Sequence, residues 1–358
     1  NAEADITGIS FEEDVLANSY IDLNPSYDES QNAYPIRISV KEGTDMTSLA
    51  PIFELTPGAT ISPASGSVQN FTTPVRYTVT SEDKAWHRVY AITAREQKAS
   101  NIPTTYHFEK VRIMQNVWQE FYEEQDSGNE LTWASGNKGF KWAMSEAATE
   151  DYPTTQIDNG KTGKCVKLET RLTGDLGNMV GMPIAAGNLF IGSFDMLNAI
   201  TNPLSATRFG TPFYNKPLRL TGYYKYKAGE QFYENGEYTS RKDIFNIYAI
   251  FYDGVKYDSA GKGTDVTLDG NLPNQNYEHS SMVALALVSN PQETEGDEWK
   301  FFDIPFDYQR YGKKIDEARL AKGEYKIGII FASSKDGATF EGAPGSTLLI
   351  DEVELIYE

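Results

Sequence analysis

The stretch that most constrains this chain is its last one, Gly345-Ser346-Thr347-Leu348-Leu349-Ile350-Asp351-Glu352-Val353-Glu354-Leu355-Ile356-Tyr357-Glu358. Apolar residues fall at Leu348, Ile350, Val353, Leu355 and Tyr357, with period two on either side of a slip at Asp351-Glu352. Period two is the mark of a strand with one buried face. Such a strand must pair with earlier strands, so this segment demands a large antiparallel β-sandwich that it closes.

The chain upstream supplies the partners. Strand-like runs cover residues 218–226, 244–252, 282–288, 300–304 and 325–331, and no long helical periodicity competes with them. Glu317-Ala318-Arg319-Leu320-Ala321 reads as a turn or two of helix ended by Gly323. The 22 Tyr, 18 Phe and 5 Trp put much of the apolar burial into rings, which favours all-β structure. At 358 residues the chain is long for one core and suits two domains of unequal size.

The boundary is readable. Before it lie the short strands Ile6-Thr7-Gly8-Ile9-Ser10-Phe11 and Ile36-Arg37-Ile38-Ser39-Val40. A hairpin follows, formed by Val75-Arg76-Tyr77-Thr78-Val79-Thr80 and the run from Trp86 to Ala94, with Ser81-Glu82-Asp83-Lys84 as its turn. Trp86 either packs on the face of this sandwich, the reading favoured here, or stands out as a ligand platform. Glu96-Gln97-Lys98-Ala99-Ser100-Asn101-Ile102-Pro103-Thr104-Thr105 is polar and aperiodic, as a linker is. The expected domains are therefore 1–100 and 101–358.

Leu55-Thr56-Pro57-Gly58-Ala59-Thr60-Ile61-Ser62-Pro63, Phe71-Thr72-Thr73-Pro74-Val75 and Tyr77-Thr78-Val79-Thr80-Ser81-Glu82-Asp83 resemble the immunoglobulin-like modules at the N-termini of exported proteins of Gram-negative gut bacteria. The resemblance implies a spacer. From about residue 106, the segments Leu131-Thr132-Trp133-Ala134-Ser135-Gly136-Asn137, Asp151-Tyr152-Pro153-Thr154-Thr155 and Gly163-Lys164-Cys165-Val166-Lys167-Leu168-Glu169-Thr170 come in order. After them stand Ile184 to Gly192, Ala206 to Phe213 and Pro217 to Lys227. Together they are similar to the putative carbohydrate metabolism domain, a jelly-roll family of exported bacterial proteins. The resemblance implies a jelly-roll sandwich like those of carbohydrate-binding modules and some glycan-cleaving enzymes, which for activity is analogy alone.

Charge narrows the partners. Lys and Arg number 32 against 51 Asp and Glu, a net charge of −19 that repels nucleic acid and anionic lipid. No run of about 18 apolar residues exists to span a membrane. The start at Asn1, in polar sequence without Met, suits a mature or truncated secreted protein, periplasmic or on the outer-membrane surface, lipid-anchored through a removed segment. Cys165 has no partner for a disulfide and reads as a buried thiol, and His87, His107 and His279 lack zinc-site spacing. A monomer needing no cofactor is expected.

Sugar recognition takes flat apolar faces beside forked polar groups. In Tyr223-Tyr224-Lys225-Tyr226, alternate residues must point to opposite faces of the sheet. We expect Tyr224, Tyr226 and Trp133 as platforms, with Arg208 and Asp253 as polar partners, binding a polysaccharide or oligosaccharide. Core anchoring is the competing reading for each aromatic. Glycoside hydrolysis on the same fold is the alternative, and its two carboxylates would come from the strand-borne Glu109, Glu169, Asp243, Asp253 and Asp351. A scaffold or adhesin without a sugar site is the third reading. Likeness to jelly-roll modules also implies a structural calcium between first and last strands, for which Glu109 and Asp351 are the ligands to test. Asp351 as a solvated residue at a bulge is the competing reading.

Overall fold

The computed structural model describes residues 2–125 and 127–358. These divide into two compact units, one of residues 1–99 together with Glu358, the other of residues 100–357. Both are built from strands, as an all-β two-domain chain requires.

In the first unit Tyr34–Lys41 runs parallel to His87–Gln97, which pairs antiparallel with Val75–Thr80, and Thr60–Ser62 completes a four-stranded sheet. Ile6–Ser10 pairs with Ile52–Leu55 in a second sheet. Ile36, Ile38, Val40, Tyr77, Val79, Tyr90 and Ile92 from the first sheet meet Ile6 and Phe53 from the second in one core. Trp86 lies outside it, largely exposed at the hairpin turn, which corrects the expectation that it packs on the sandwich.

The second unit is a sandwich of two sheets. One holds, in spatial order, Thr154–Asp158, Lys164–Glu169, Thr347–Tyr357, Pro217–Lys227 and Lys300–Pro305, with Thr105–Tyr106 also paired to Thr347–Tyr357. The other holds Asn188–Phe190, Tyr325–Ala332, Asn246–Asp253 and Met282–Leu287, with Thr211–Pro212 paired to Tyr325–Ala332. Between them Val166, Leu168, Leu220, Leu348, Ile350 and Leu355 pack on Ile247, Ala249, Phe251, Ile327, Ile329 and Phe331. The terminal strand is an interior member of its sheet, flanked on both sides.

The slip read from its sequence is a β-bulge. Tyr223 stands opposite Asp351 and Thr221 opposite Glu354, so three steps on one strand face two on the other. Glu352 takes up the extra residue at φ +48°, and the inward series resumes at Val353.

The two sheets differ in what covers their outer faces. Asn246–Asp253 is buried along nearly its whole length, because Tyr248, Ile250 and Tyr252 lie in a second apolar cluster with Phe190, Phe209, Leu268 and Leu272. That explains why its sequence is continuously apolar instead of alternating. A three-stranded sheet of Gly192–Phe194, Thr207–Phe209 and Leu268–Asp269 contributes to this cover. The larger sheet alternates, and much of its outer face meets solvent.

Candidate functional site

Alternation in Pro217–Lys227 decides which tyrosines reach the surface. Leu220, Tyr224 and Tyr226 point inward, and Arg219, Tyr223 and Lys225 point outward. Tyr224 and Tyr226 are each 2% exposed, and both rings pack on Phe245 with centroids 4.8 and 4.9 Å away. Trp133 is 1% exposed among Tyr106, Phe108 and Phe331. A ring enclosed on both faces has none to offer a sugar, so these three expected platforms are core residues instead.

The outward positions build an aromatic surface that the sequence reading passed over. Tyr223 pairs across the sheet with Phe301 of Lys300–Pro305, their ring centroids 5.2 Å apart and tilted by 54°. Phe301 is 53% exposed, whereas its neighbour Phe302 is in the core. Trp299 extends the patch, with the Lys225 ammonium 5.0 Å from its ring centre and 2.6 Å from Asp297. Lys161 places its ammonium 4.9 Å from the centre of the Tyr223 ring. Arg219 donates through Nε to Asp303 at 2.6 Å on the same face. The signal was present in sequence: the polar Arg219 and Lys225 mark the solvent face, and Tyr223 shares their parity. Phe301 was concealed by Phe302, since either parity of that pair reads as apolar.

The expected polar partners lie elsewhere. Asp253 receives both terminal nitrogens of Arg319, at 2.6 and 2.9 Å, while Arg319 Nε donates to Glu324 at 2.7 Å. The guanidinium lies against Tyr257 and Tyr325, and hydrogen bonding to Asp253 raises its affinity for its proton. Arg208 is exposed on Thr207–Phe209, 3.9 Å from Asp195. The structure therefore does not gather Trp133, Arg208, Tyr224, Tyr226 and Asp253 into one site.

Glu109 and Asp351 do share a neighbourhood, the turn at 159–163 between Thr154–Asp158 and Lys164–Glu169. Glu109 Oε1 accepts from Lys164 N at 2.7 Å, and Asp351 Oδ2 from Thr162 N at 3.0 Å. Glycine is required here, because a Cβ on Gly160 would lie 2.7 Å from Asp351 and one on Gly163 would lie 2.1 Å from Glu109. Asp351 is fully buried under this turn, not solvated, and burial pushes its carboxyl up to about 6. Burial also pushes the Cys165 thiol up to about 12, with Asp351 adding to the effect. Among the described residues no group of three or more His, Cys, Asp or Glu is gathered to hold a metal. Glu109 and Asp351 each secure a backbone N–H group of the turn.

The remaining acids are also engaged, and Asp243, like Glu109, lies in a loop and not on a strand as expected. Glu169 lies 3.1 Å from Lys167 and 3.2 Å from Arg171. Asp243 is buried, with Oδ2 accepting from Ser334 Oγ at 2.6 Å, Ser346 Oγ at 2.7 Å and Ala343 N at 2.8 Å. Burial raises its pKa against the opposing pull of those donors.

Comparison with known proteins places this architecture. The crystal structure of a protein described as a putative glycoside hydrolase from Bacteroides vulgatus ATCC 8482 shares 50% identity, with a TM-score of 0.67 over 73% of this chain and 100% of that one. A second such structure, described in the same words and from Bacteroides thetaiotaomicron VPI-5482, shares 45% identity, with a TM-score of 0.65 over 100% of this chain and 98% of that one. No curated protein matches the chain. The profile described as "SGBP, N-terminal" matches residues 22–94. The profile described as "Putative carbohydrate metabolism domain" matches residues 107–356, which comprise both sheets of the sandwich and nearly all of the second unit, and the chain belongs to that family.

Proposed function

We propose that this protein binds a glycan without cleaving it, on the open face of the larger sheet. The observation that carries this reading is the outward cross-strand pair of half-buried Tyr223 and exposed Phe301, continued by Trp299. Such a surface offers apolar faces to the C–H side of a pyranose, and Lys161, Lys225, Asp297, Arg219 and Asp303 border it with groups able to bond hydroxyls. The match of residues 22–94 to the profile described as "SGBP, N-terminal" supports a place on the cell surface, where the first unit would act as a spacer.

Hydrolysis draws its support from the descriptions of the two relatives. Against it stands the state of the five candidate acids, each held by a cation, a hydroxyl or a backbone N–H. A glycosidase needs two carboxylates facing one cleft, one with a raised pKa to donate its proton. Asp351 has the raised pKa but lies buried beneath the turn.

Titration calorimetry against a panel of neutral polysaccharides tests the proposal. Tyr223→Ala and Phe301→Ala should each weaken binding by about tenfold, equal to about 1.4 kcal/mol. Unchanged affinity in both would remove the sheet face as the site. Release of reducing ends by the native protein would establish hydrolysis instead.

A further inference from the structure

A cleft opens over the outer face of the smaller sheet, separate from the aromatic surface just described. Its floor is Phe190, Asn246, Tyr248 and Ile330, and its walls come from three short helices, Asn137–Ala143, Gly174–Met179 and Met196–Thr201. Small residues create the space: Gly139, Ala143, Ala199 and Ala206 all line it. We propose that this cleft binds a single aromatic ring carrying a carboxylate or ester carbonyl, the chemistry of a free aryl acid or of an aryl ester on a sugar.

Size sets the first limit. The cleft has room of about 170 Å³, close to the apolar cavity of about 150 Å³ that takes up benzene in another protein. The walls favour aromatic character. Phe140, Phe194 and Phe340 line the space beside Phe190, Phe209 and Tyr248. Phe209 already meets Phe190 edge-to-face at 5.4 Å and Tyr248 at 6.3 Å, the arrangement a further ring would extend.

Charge sets the second limit. Among the described residues no Asp or Glu lines the cleft, in a chain with 51 of them, and Lys335 is the one charged residue lining it. Lys335 is exposed, and among the described residues no acid forms an ion pair with its side chain. A carboxylate or carbonyl directed outward from a seated ring would meet this ammonium. The bordering helices also hold apolar groups in water, with Leu197 87% exposed and Trp142, Leu176, Met179 and Ile200 exposed too.

The test is titration of the full chain with cinnamate, its neutral isostere cinnamamide, a cinnamate ester of methyl glucoside, and octanoate, read by calorimetry and Trp142 fluorescence. Saturable binding of cinnamate or the sugar ester is expected. The acid alone would mark a free ligand, and the ester would mark a substituent on a glycan. Lys335→Gln, a change at an exposed side chain, should weaken cinnamate about tenfold and cinnamamide by clearly less. Ala199→Phe should fill the cleft and abolish binding of both at an unaltered melting temperature. The proposal is overturned by no saturable response to any ring, by tighter binding of octanoate, or by equal binding to Lys335→Gln and the native protein. Self-association in sedimentation velocity that Leu197→Ser abolishes would likewise overturn it, by making this face an interface between copies.

Discussion

Asp351 shows how one buried carboxyl records its surroundings. Unfolded, it releases its proton near 3.8; folded, it does so only at about 6. Between those values the folded state holds more protons than the unfolded one, so stability from this group is present below about pH 4 and is lost as pH rises toward 6. The loss is on the order of 3 kcal/mol for a group this deeply buried. Urea melts of the native protein and Asp351→Asn across this range should show the difference between them shifting against the native protein as pH rises. A constant difference would show that the carboxyl ionises normally. The tyrosines of Pro217–Lys227 give a second residue-scale contrast. Tyr224→Ala should cost about 3–5 kcal/mol of stability, as large core truncations do, whereas Tyr223→Ala should cost much less and act on binding. Thermal melts of the two variants separate these roles. Which tyrosine was which could be read from Arg219 and Lys225, whose parity marks the wet face. The fate of Asp253 could not, because its partner Arg319 is 66 residues away on a short helical turn.

At the scale of the element, period-two runs predicted most strands, and the slip at Asp351-Glu352 predicted an interruption where the bulge lies. The acid's burial was hidden, since it depends on the turn at 159–163, which folds back over the strand from far upstream. The apolar cleft was hidden for a similar reason. The helices that wall it are only six or seven residues long, too short to show a helical period. The buried node at Asp243 joins two further segments, one through Ser334 and the other through Ala343 and Ser346. Removing its carboxylate leaves several buried donors without an acceptor, each costing about 1–3 kcal/mol. Asp243→Ala should therefore lower the melting temperature by more than any single exposed-face variant, and a smaller shift would mean that water replaces the lost oxygens.

Across the whole molecule, two independent cores imply that each unit folds by itself. A polypeptide of residues 100–358 should give the circular dichroism of a β-sandwich and one cooperative melt. The surplus of acids bears on ligand choice. A net charge of −19 surrounds any docking glycan with negative potential, which salt screens. Affinity electrophoresis should therefore show neutral polysaccharides retained alike at low and high salt. Uronate-rich polymers should be retained more weakly at low salt, and stronger retention there would point to a local cationic groove that outweighs the overall charge.

The interior position of Thr347–Tyr357 also orders events in time. Lys164–Glu169 and Pro217–Lys227 have no hydrogen bonds to one another and meet only across this strand. A nascent chain that has not yet produced residue 347 therefore carries two unjoined half-sheets, and the long-range pairing that unites them is among the last contacts available. The larger sheet is therefore completed only once nearly all of the sandwich's polypeptide has been synthesised.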